Sequence, residues 1–194
     1  MSRRVGSRSA SSAMDPRILI VGGVLVVGAI ILVVAVLFAG NAAEIGVRQV
    51  DQGGTHIPEG QTGGPYSSVP GTSGDHWNTA TSPGPWGVYT TAQPQERLIH
   101  NLEHGGIVIW YQPNQLDADG VQALTTYVEQ QVRTAKFKVI LSPWGGEDFG
   151  HPIAVTAWDW LLYLDTADID QVRAFLDAHY GKAPEPNGGP AAPG

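Results

Sequence analysis

The hydrophobic positions divide the chain into one long apolar run and a polar remainder that contains short periodic segments. Residues 18–39 read ILIVGGVLVVGAIILVVAVLFA and include no charged or strongly polar side chain. A helix of this length rises about 33 Å, which is enough to cross the roughly 30 Å hydrocarbon core of a bilayer. The pattern therefore predicts a transmembrane helix over residues 18–39.

The charges on either side of this run differ in sign. Residues 1–17 carry four Arg and one Asp, whereas residues 41–194 carry 7 basic and 17 acidic side chains. The positive-inside rule then predicts a cytoplasmic tail over 1–17, a linker over 40–50 and an extracytoplasmic remainder. A cleaved signal peptide is the alternative, but its apolar region is usually only about 7 to 15 residues long. We expect a single-pass protein of the cell membrane.

Beyond the linker, the periodicities indicate an α+β domain over residues 51–181. Segments rich in β-branched and aromatic residues predict strands, and apolar residues at spacings of three and four predict helices. The predicted elements are a strand over Ile107–Tyr111, a helix over Leu116–Arg133, a strand over Lys138–Leu141, one strand or two over Ile153–Leu164, and a helix over Ile169–Tyr180. The order is β-α-β-β-α, a small sheet covered by two helices.

Two segments lack this periodicity. Residues 41–97 form a long Gly/Pro-rich loop region with short strands, and their aromatic residues indicate that this region packs against the domain. Residues 182–194 are rich in Pro and Gly, which predicts a flexible tail.

Composition excludes several classes of protein. The chain has no cysteine, so it holds no disulfide, thiolate zinc site or iron-sulfur cluster. A net charge of -7 argues against a nucleic-acid partner, which would require a basic surface. The glycine pairs lack the spacing of a phosphate loop or a dinucleotide fingerprint, so no nucleotide cofactor is expected.

The densest polar cluster is His100-Asn101-Leu102-Glu103-His104, which has three interpretations. As H-x-x-E-H it matches an inverted zinc-protease motif, but the glycines that follow argue against the long helix this chemistry needs. It can also be a metal-binding loop at the mouth of a strand. In the third interpretation the histidines only brace loops and Glu103 pairs with Arg97.

We favour a metal site built from imidazoles, since no thiolate is present. Neutral imidazole binds copper and zinc, and His56 and His76 in the glycine-rich region can fold over the cluster. The predicted ligands are His76, His100 and His104, with His56 or Glu103 completing the set.

Several segments, in order along the chain, resemble the family known as domain of unknown function 3105. They are His56-Ile57, Tyr66, VPGTSGDH at 69–76, WGVY at 86–89, HNLEHGG at 100–106 and PIAVTAW at 152–158. In the first loop of that family the pattern is usually PP-x-S-G-P-H, and here Gly71 and Asp75 replace two of the prolines. The resemblance implies a membrane-anchored, extracytoplasmic bacterial domain without an assigned activity.

Three hypotheses follow for function. The first is a binding protein, not an enzyme, that holds a copper or zinc ion through the histidine cluster. The second is a non-catalytic accessory subunit of a larger membrane complex, such as a respiratory or photosynthetic one. The third is a metal-dependent hydrolase.

Overall fold

The computed structural model describes residues 45–193, in which a six-stranded mixed sheet has helices on both faces. Its strands are β1 (Val47–Arg48), β4 (Gly87–Val88), β5 (Ile107–Tyr111), β6 (Val139–Pro143), β7 (Ile153–Ala157) and β8 (Trp160–Leu164). Their spatial order is β1-β8-β7-β5-β6-β4, with β4 and β5 parallel to β6 and the other pairs antiparallel. A separate parallel pair joins β2 (His56–Ile57) to β3 (His76–Trp77).

Three helices accompany the sheet: α1 (Gln95–Glu103), α2 (Ala118–Gln131) and α3 (Ile169–His179). The carboxylate of Asp117 accepts a hydrogen bond from the Gly120 amide at the start of α2 (2.8 Å). Asp168 does the same for two amides at the start of α3. Both are N-caps, which satisfy amides that have no partner within the helix.

Strand alternation produces two cores. Ile107 and Ile109 of β5 point to the face covered by α2 and α3, while Val108 and Trp110 point to the face covered by α1. All four side chains are at most 1% exposed. Full burial of a large apolar side chain stabilises a fold by about 1.5–3 kcal/mol. The side chains of β5 therefore stabilise the packing of helices on both faces of the sheet.

The α+β class is confirmed, but the prediction of two helices is wrong because α1 is a third. Its nine residues begin after Pro94 inside the turn-rich region, and only Leu98, Ile99 and Leu102 are apolar. These three residues are fully buried on one face of α1. Periodicity over so short and polar a segment is too weak to predict a helix.

The predicted elements after residue 106 are all present, and the segment 153–164 consists of two strands. Asp159 lies in the turn between β7 and β8 with φ +61°, a left-handed conformation that Asp adopts more readily than most residues. β7 and β8 form an antiparallel hairpin that lies between β5 and the edge strand β1.

The described residues include no helix of the length and apolar character that a membrane crossing requires. The predicted span 18–39 and the predicted cytoplasmic tail 1–17 lie outside these residues. Residues 47–48 of the predicted linker form β1, which pairs with β8 at the edge of the sheet. Residues 182–193, predicted to be a flexible tail, contact the domain: the Glu185 amide donates to the Glu103 carbonyl (3.0 Å).

Candidate metal centre

Two pieces of local structure bring four candidate ligands together. In the parallel pair, His56 of β2 lies directly beside His76 of β3, and their ring centroids are 4.8 Å apart. His100 and Glu103 lie three residues apart at the end of α1, a spacing that places both on one face of a helix. One ligand atom from each of the four residues lies within 4.8 Å of all the others.

The carboxylate of Glu103 is the centre of the group. Its Oε2 atom lies 3.1 Å from Nε2 of His76, 3.3 Å from Nε2 of His56 and 3.9 Å from Nε2 of His100. His76, His100 and Glu103 are buried, whereas the His56 side chain is 39% exposed. Three imidazole nitrogens therefore surround one buried carboxylate oxygen, with access from the His56 side.

Backbone carbonyls determine which nitrogen carries the proton in two of the rings. Nδ1 of His76 donates to the carbonyl of Gly74 (2.8 Å), and Nδ1 of His100 donates to the carbonyl of Trp77 (2.7 Å). A carbonyl can only accept, so these nitrogens are protonated. In the neutral rings Nε2 then presents its lone pair to Glu103, the orientation that metal-ligating histidines commonly have.

The neutral state of His100 is favoured electrostatically. Burial lowers the pKa of His100 from 6.5 to about 4, because a charged imidazolium loses its hydration there, and the neighbouring His76 and His104 also lower it. The hydrogen bond to Trp77 and the charge of Glu103 oppose this shift without cancelling it. At neutral pH His100 is thus unprotonated at Nε2 and able to coordinate a cation.

The imidazole of His56 is oriented by the side chain of Asn78. The amide nitrogen of Asn78 lies 3.1 Å from Nδ1 of His56 and donates to it, which leaves the ring proton on Nε2, facing Glu103. Rotation of this amide by 180° would bring its oxygen to Nδ1 and transfer the proton there. Asn78 thus controls whether His56 presents a lone pair to the group.

His104 is the one predicted ligand that the structure leaves outside this group. α1 ends at Glu103, so His104 is the residue after the helix and its Nδ1 donates to the carbonyl of Glu185 (3.1 Å). Its ring still lies 4.8 Å from that of His100. His100 and His104 are four residues apart, but the helix ends between them, so their side chains do not share one helix face.

The other two histidines lie outside the group. His151 is paired with Asp165 (2.9 Å) and stacks on Tyr163. His179 stacks on Trp160 at the end of α3 and donates from Nε2 to the carbonyl of Ile45 (2.8 Å).

The pair between Glu103 and Arg97, which belonged to the third interpretation of the cluster, does not form. Arg97 lies six residues before Glu103, not the three or four that bring two side chains together on a helix. It donates instead to the Thr81 carbonyl (2.8 Å) and to the Gln93 side chain (2.6 Å). The ion-pair partners of the Glu103 carboxylate are therefore His56, His76 and His100.

Two positions that sequence reasoning missed support the group. A Cβ atom on Gly54 would lie only 2.2 Å from Oε1 of Glu103, so this close approach of the loop requires glycine. Asn101, fully buried on α1, exchanges two hydrogen bonds with the backbone of Gly84 and so ties the loop to the helix. The Gly53-Gly54 pair just before His56 was the available signal for the first position.

A cleft of about 500 Å³ opens beside the group. It is lined by three of the histidines and by polar residues of the loops and the C-terminal segment, among them His56, His100, His104, Asn78 and Glu185. His76 and Glu103 are buried and are not among the lining residues. Solvent therefore reaches the group from one side.

Fold and site together define a mixed-sheet α+β domain that gathers three histidines and a glutamate beneath a cleft. The chain belongs to the family described as "Protein of unknown function (DUF3105)", whose model matches residues 56–192. The family resemblance of the sequence is thereby confirmed. No curated protein and no solved structure matches the chain.

Proposed function

We propose that this chain binds a divalent transition metal ion, Zn²⁺ or Cu²⁺, through Nε2 of His56, His76 and His100 and a carboxylate oxygen of Glu103. The observation that carries the proposal is the convergence of acceptors. In their neutral forms, His76 and His100 donate from Nδ1–H to backbone carbonyls, and both direct the Nε2 lone pair at the same buried carboxylate. Acceptors in such proximity repel one another unless a cation lies between them.

A metal ion satisfies this arrangement better than protons do. One proton can bridge one pair of acceptors, whereas a metal ion can accept a lone pair from all four ligand atoms at once. Three neutral imidazoles and one carboxylate carry a net charge of -1, which a divalent cation offsets. Imidazole nitrogen with a single carboxylate is a donor set that suits zinc and copper, and it differs from the all-oxygen sets of Ca²⁺ and Mg²⁺.

The role we propose is binding, with the ion tying the β2–β3 pair to α1. His56 and His76 come from the turn-rich region and His100 and Glu103 from the helix, so an ion held by all four crosslinks the two. We further propose that the domain lies outside the cell membrane on the predicted anchor 18–39. The apolar run and the charge asymmetry of the sequence support this location.

Elemental analysis tests the metal site. The full-length chain, purified in mild detergent and exposed to Zn²⁺ or Cu²⁺, is expected to retain about one ion per chain after removal of free metal. Glu103→Gln keeps the size of the side chain but removes its charge, and His56→Ala removes the most exposed of the four proposed ligands. Each should weaken binding by more than the about 10- to 100-fold typical of losing an outer-sphere partner.

His151→Ala is the matched control, because His151 is a histidine remote from the group. It should bind metal like the unmodified chain. Metal content near zero, or content equal in Glu103→Gln and the unmodified chain, would overturn the proposal. The histidines would then be structural groups only, as the accessory-subunit hypothesis holds.

A further inference from the structure

The C-terminal segment 185–190 forms one wall of the cleft and is attached to the end of α1. The Glu185 amide donates to the Glu103 carbonyl (3.0 Å), and the Glu185 carbonyl accepts from Nδ1 of His104 (3.1 Å). Glu185, Gly189 and Pro190 line the cleft together with His56 and His100. The segment is therefore in contact with the residue that carries the central carboxylate.

Lys138 fastens the middle of this segment. Its ammonium group donates to the carbonyls of His104 (3.0 Å), Pro186 (2.8 Å) and Gly188 (2.9 Å). An ammonium has three protons, so these contacts use its whole donor capacity on backbone oxygens. One side chain thus joins the segment to the residue that follows α1.

The C-terminal end of the segment is held by a hydrogen bond from Trp86 and by close packing of Gly188 against His104. Nε1 of Trp86 donates to the Pro190 carbonyl (2.9 Å). A Cβ atom on Gly188 would lie 2.2 Å from Nδ1 of His104, so only glycine lets the backbone lie this close to the imidazole.

Most side chains of the segment are exposed, so backbone hydrogen bonds hold it in place more than apolar burial does. Segments with few buried apolar contacts open at a lower free energy than the global fold. Because the segment walls the cleft, its release widens the path to the ligand atoms while the sheet and α1 stay intact.

We propose that residues 185–190 are a clasp that controls how fast the metal ion enters and leaves, with Lys138 as its fastening residue. The clasp rests on the proposed metal site and adds to it a kinetic role. Closed, it covers His104 and narrows the cleft. Released from Lys138 and Trp86, it exposes the His100 and Glu103 side of the group to solvent.

The test measures transfer of Zn²⁺ from the loaded full-length chain to a chromogenic chelator in excess. Lys138→Met keeps the aliphatic stem but removes all three hydrogen bonds, and Gly188→Ala introduces the clash with His104. Both variants should load one ion yet release it about tenfold faster, the factor that corresponds to about 1.4 kcal/mol.

Two controls match these variants. Lys136→Met removes a nearby lysine that pairs with Asp177, and Asn187→Ala changes an exposed side chain within the clasp. Both should release metal at the original rate. Normal loading with unchanged release in Lys138→Met and Gly188→Ala would overturn the clasp alone, whereas failure of the unmodified chain to load would overturn the metal site and the clasp together.

Discussion

Nε2 of His76 lies 3.1 Å from Oε2 of Glu103, and their side chains are 0% and 6% exposed. Nδ1–H of His76 donates to the Gly74 carbonyl, so in the neutral ring Nε2 has only a lone pair to offer the carboxylate. The contact is favourable when a proton or a metal ion lies between the two atoms. This relationship underlies the metal site that we propose.

The stability of the metal-free protein should depend on pH through His100. Its pKa is about 4 in the folded chain and 6.5 as a reference for the unfolded chain. The unfolded state therefore binds more protons between these values, and stability falls as pH drops from 6.5 towards 4. The loss should approach about 3 kcal/mol, at about 1.36 kcal/mol per pKa unit.

Urea unfolding at a series of pH values, with chelator present, measures this loss. His100→Asn retains an N–H donor for the Trp77 carbonyl but cannot be protonated. Its unfolding free energy should vary less over the same pH interval. An equal pH dependence in the variant would show that His100 is not the group responsible.

Asn78→Asp should strengthen metal binding. A carboxylate at this position can only accept, so it would hold the His56 proton on Nδ1 and leave Nε2 unprotonated towards Glu103. Carboxylate partners of ligating histidines also increase the basicity of the ring. We expect an affinity about tenfold higher in competition titrations with a chelator. Asn78→Ala, which removes the partner altogether, should not reproduce the gain.

Gly54→Ala should weaken binding although it replaces none of the four proposed ligands. The new methyl group would lie 2.2 Å from Oε1 of Glu103, so the carboxylate or the loop must move. We expect a loss of affinity of about 10-fold or more, similar to that of an outer-sphere change. Gly53→Asn is the control, because nothing lies within 4 Å of a Cβ there and Asn tolerates its φ of +74°. Equal losses in both variants would point to the loop backbone instead.

The five-residue strands β5 to β8 and the two longer helices could be predicted from their apolar residues, whereas the two-residue strands β1 and β4 of the same sheet could not. β5 is β-branched and aromatic throughout, and α3 has an N-cap at Asp168 followed by a helical apolar stripe. α1 could not be predicted in this way, since it is short and buries polar side chains such as His100 and Asn101. Tertiary contacts with the turn-rich region stabilise it, and a local pattern does not report such contacts.

The residue types of the site could be predicted, but not their arrangement. Absence of cysteine directed attention to the imidazoles, and His56, His76, His100 and Glu103 are found together. The place of His104 depends on where α1 ends, and the partnership of His56 with His76 depends on a parallel pair between residues 20 apart in sequence. Neither feature follows from spacing along the chain.

The membrane orientation proposed for the chain can be tested directly, because the chain contains no cysteine. A single cysteine introduced by Asn187→Cys lies at an exposed position of the C-terminal segment, and one introduced by Ser7→Cys lies in the predicted cytoplasmic tail. In intact cells a membrane-impermeant maleimide should label Asn187→Cys and not Ser7→Cys. After lysis both should be labelled, which controls for the reactivity of each thiol. Labelling of Ser7→Cys alone in intact cells would reverse the orientation, and recovery of both variants in the soluble fraction would exclude the anchor.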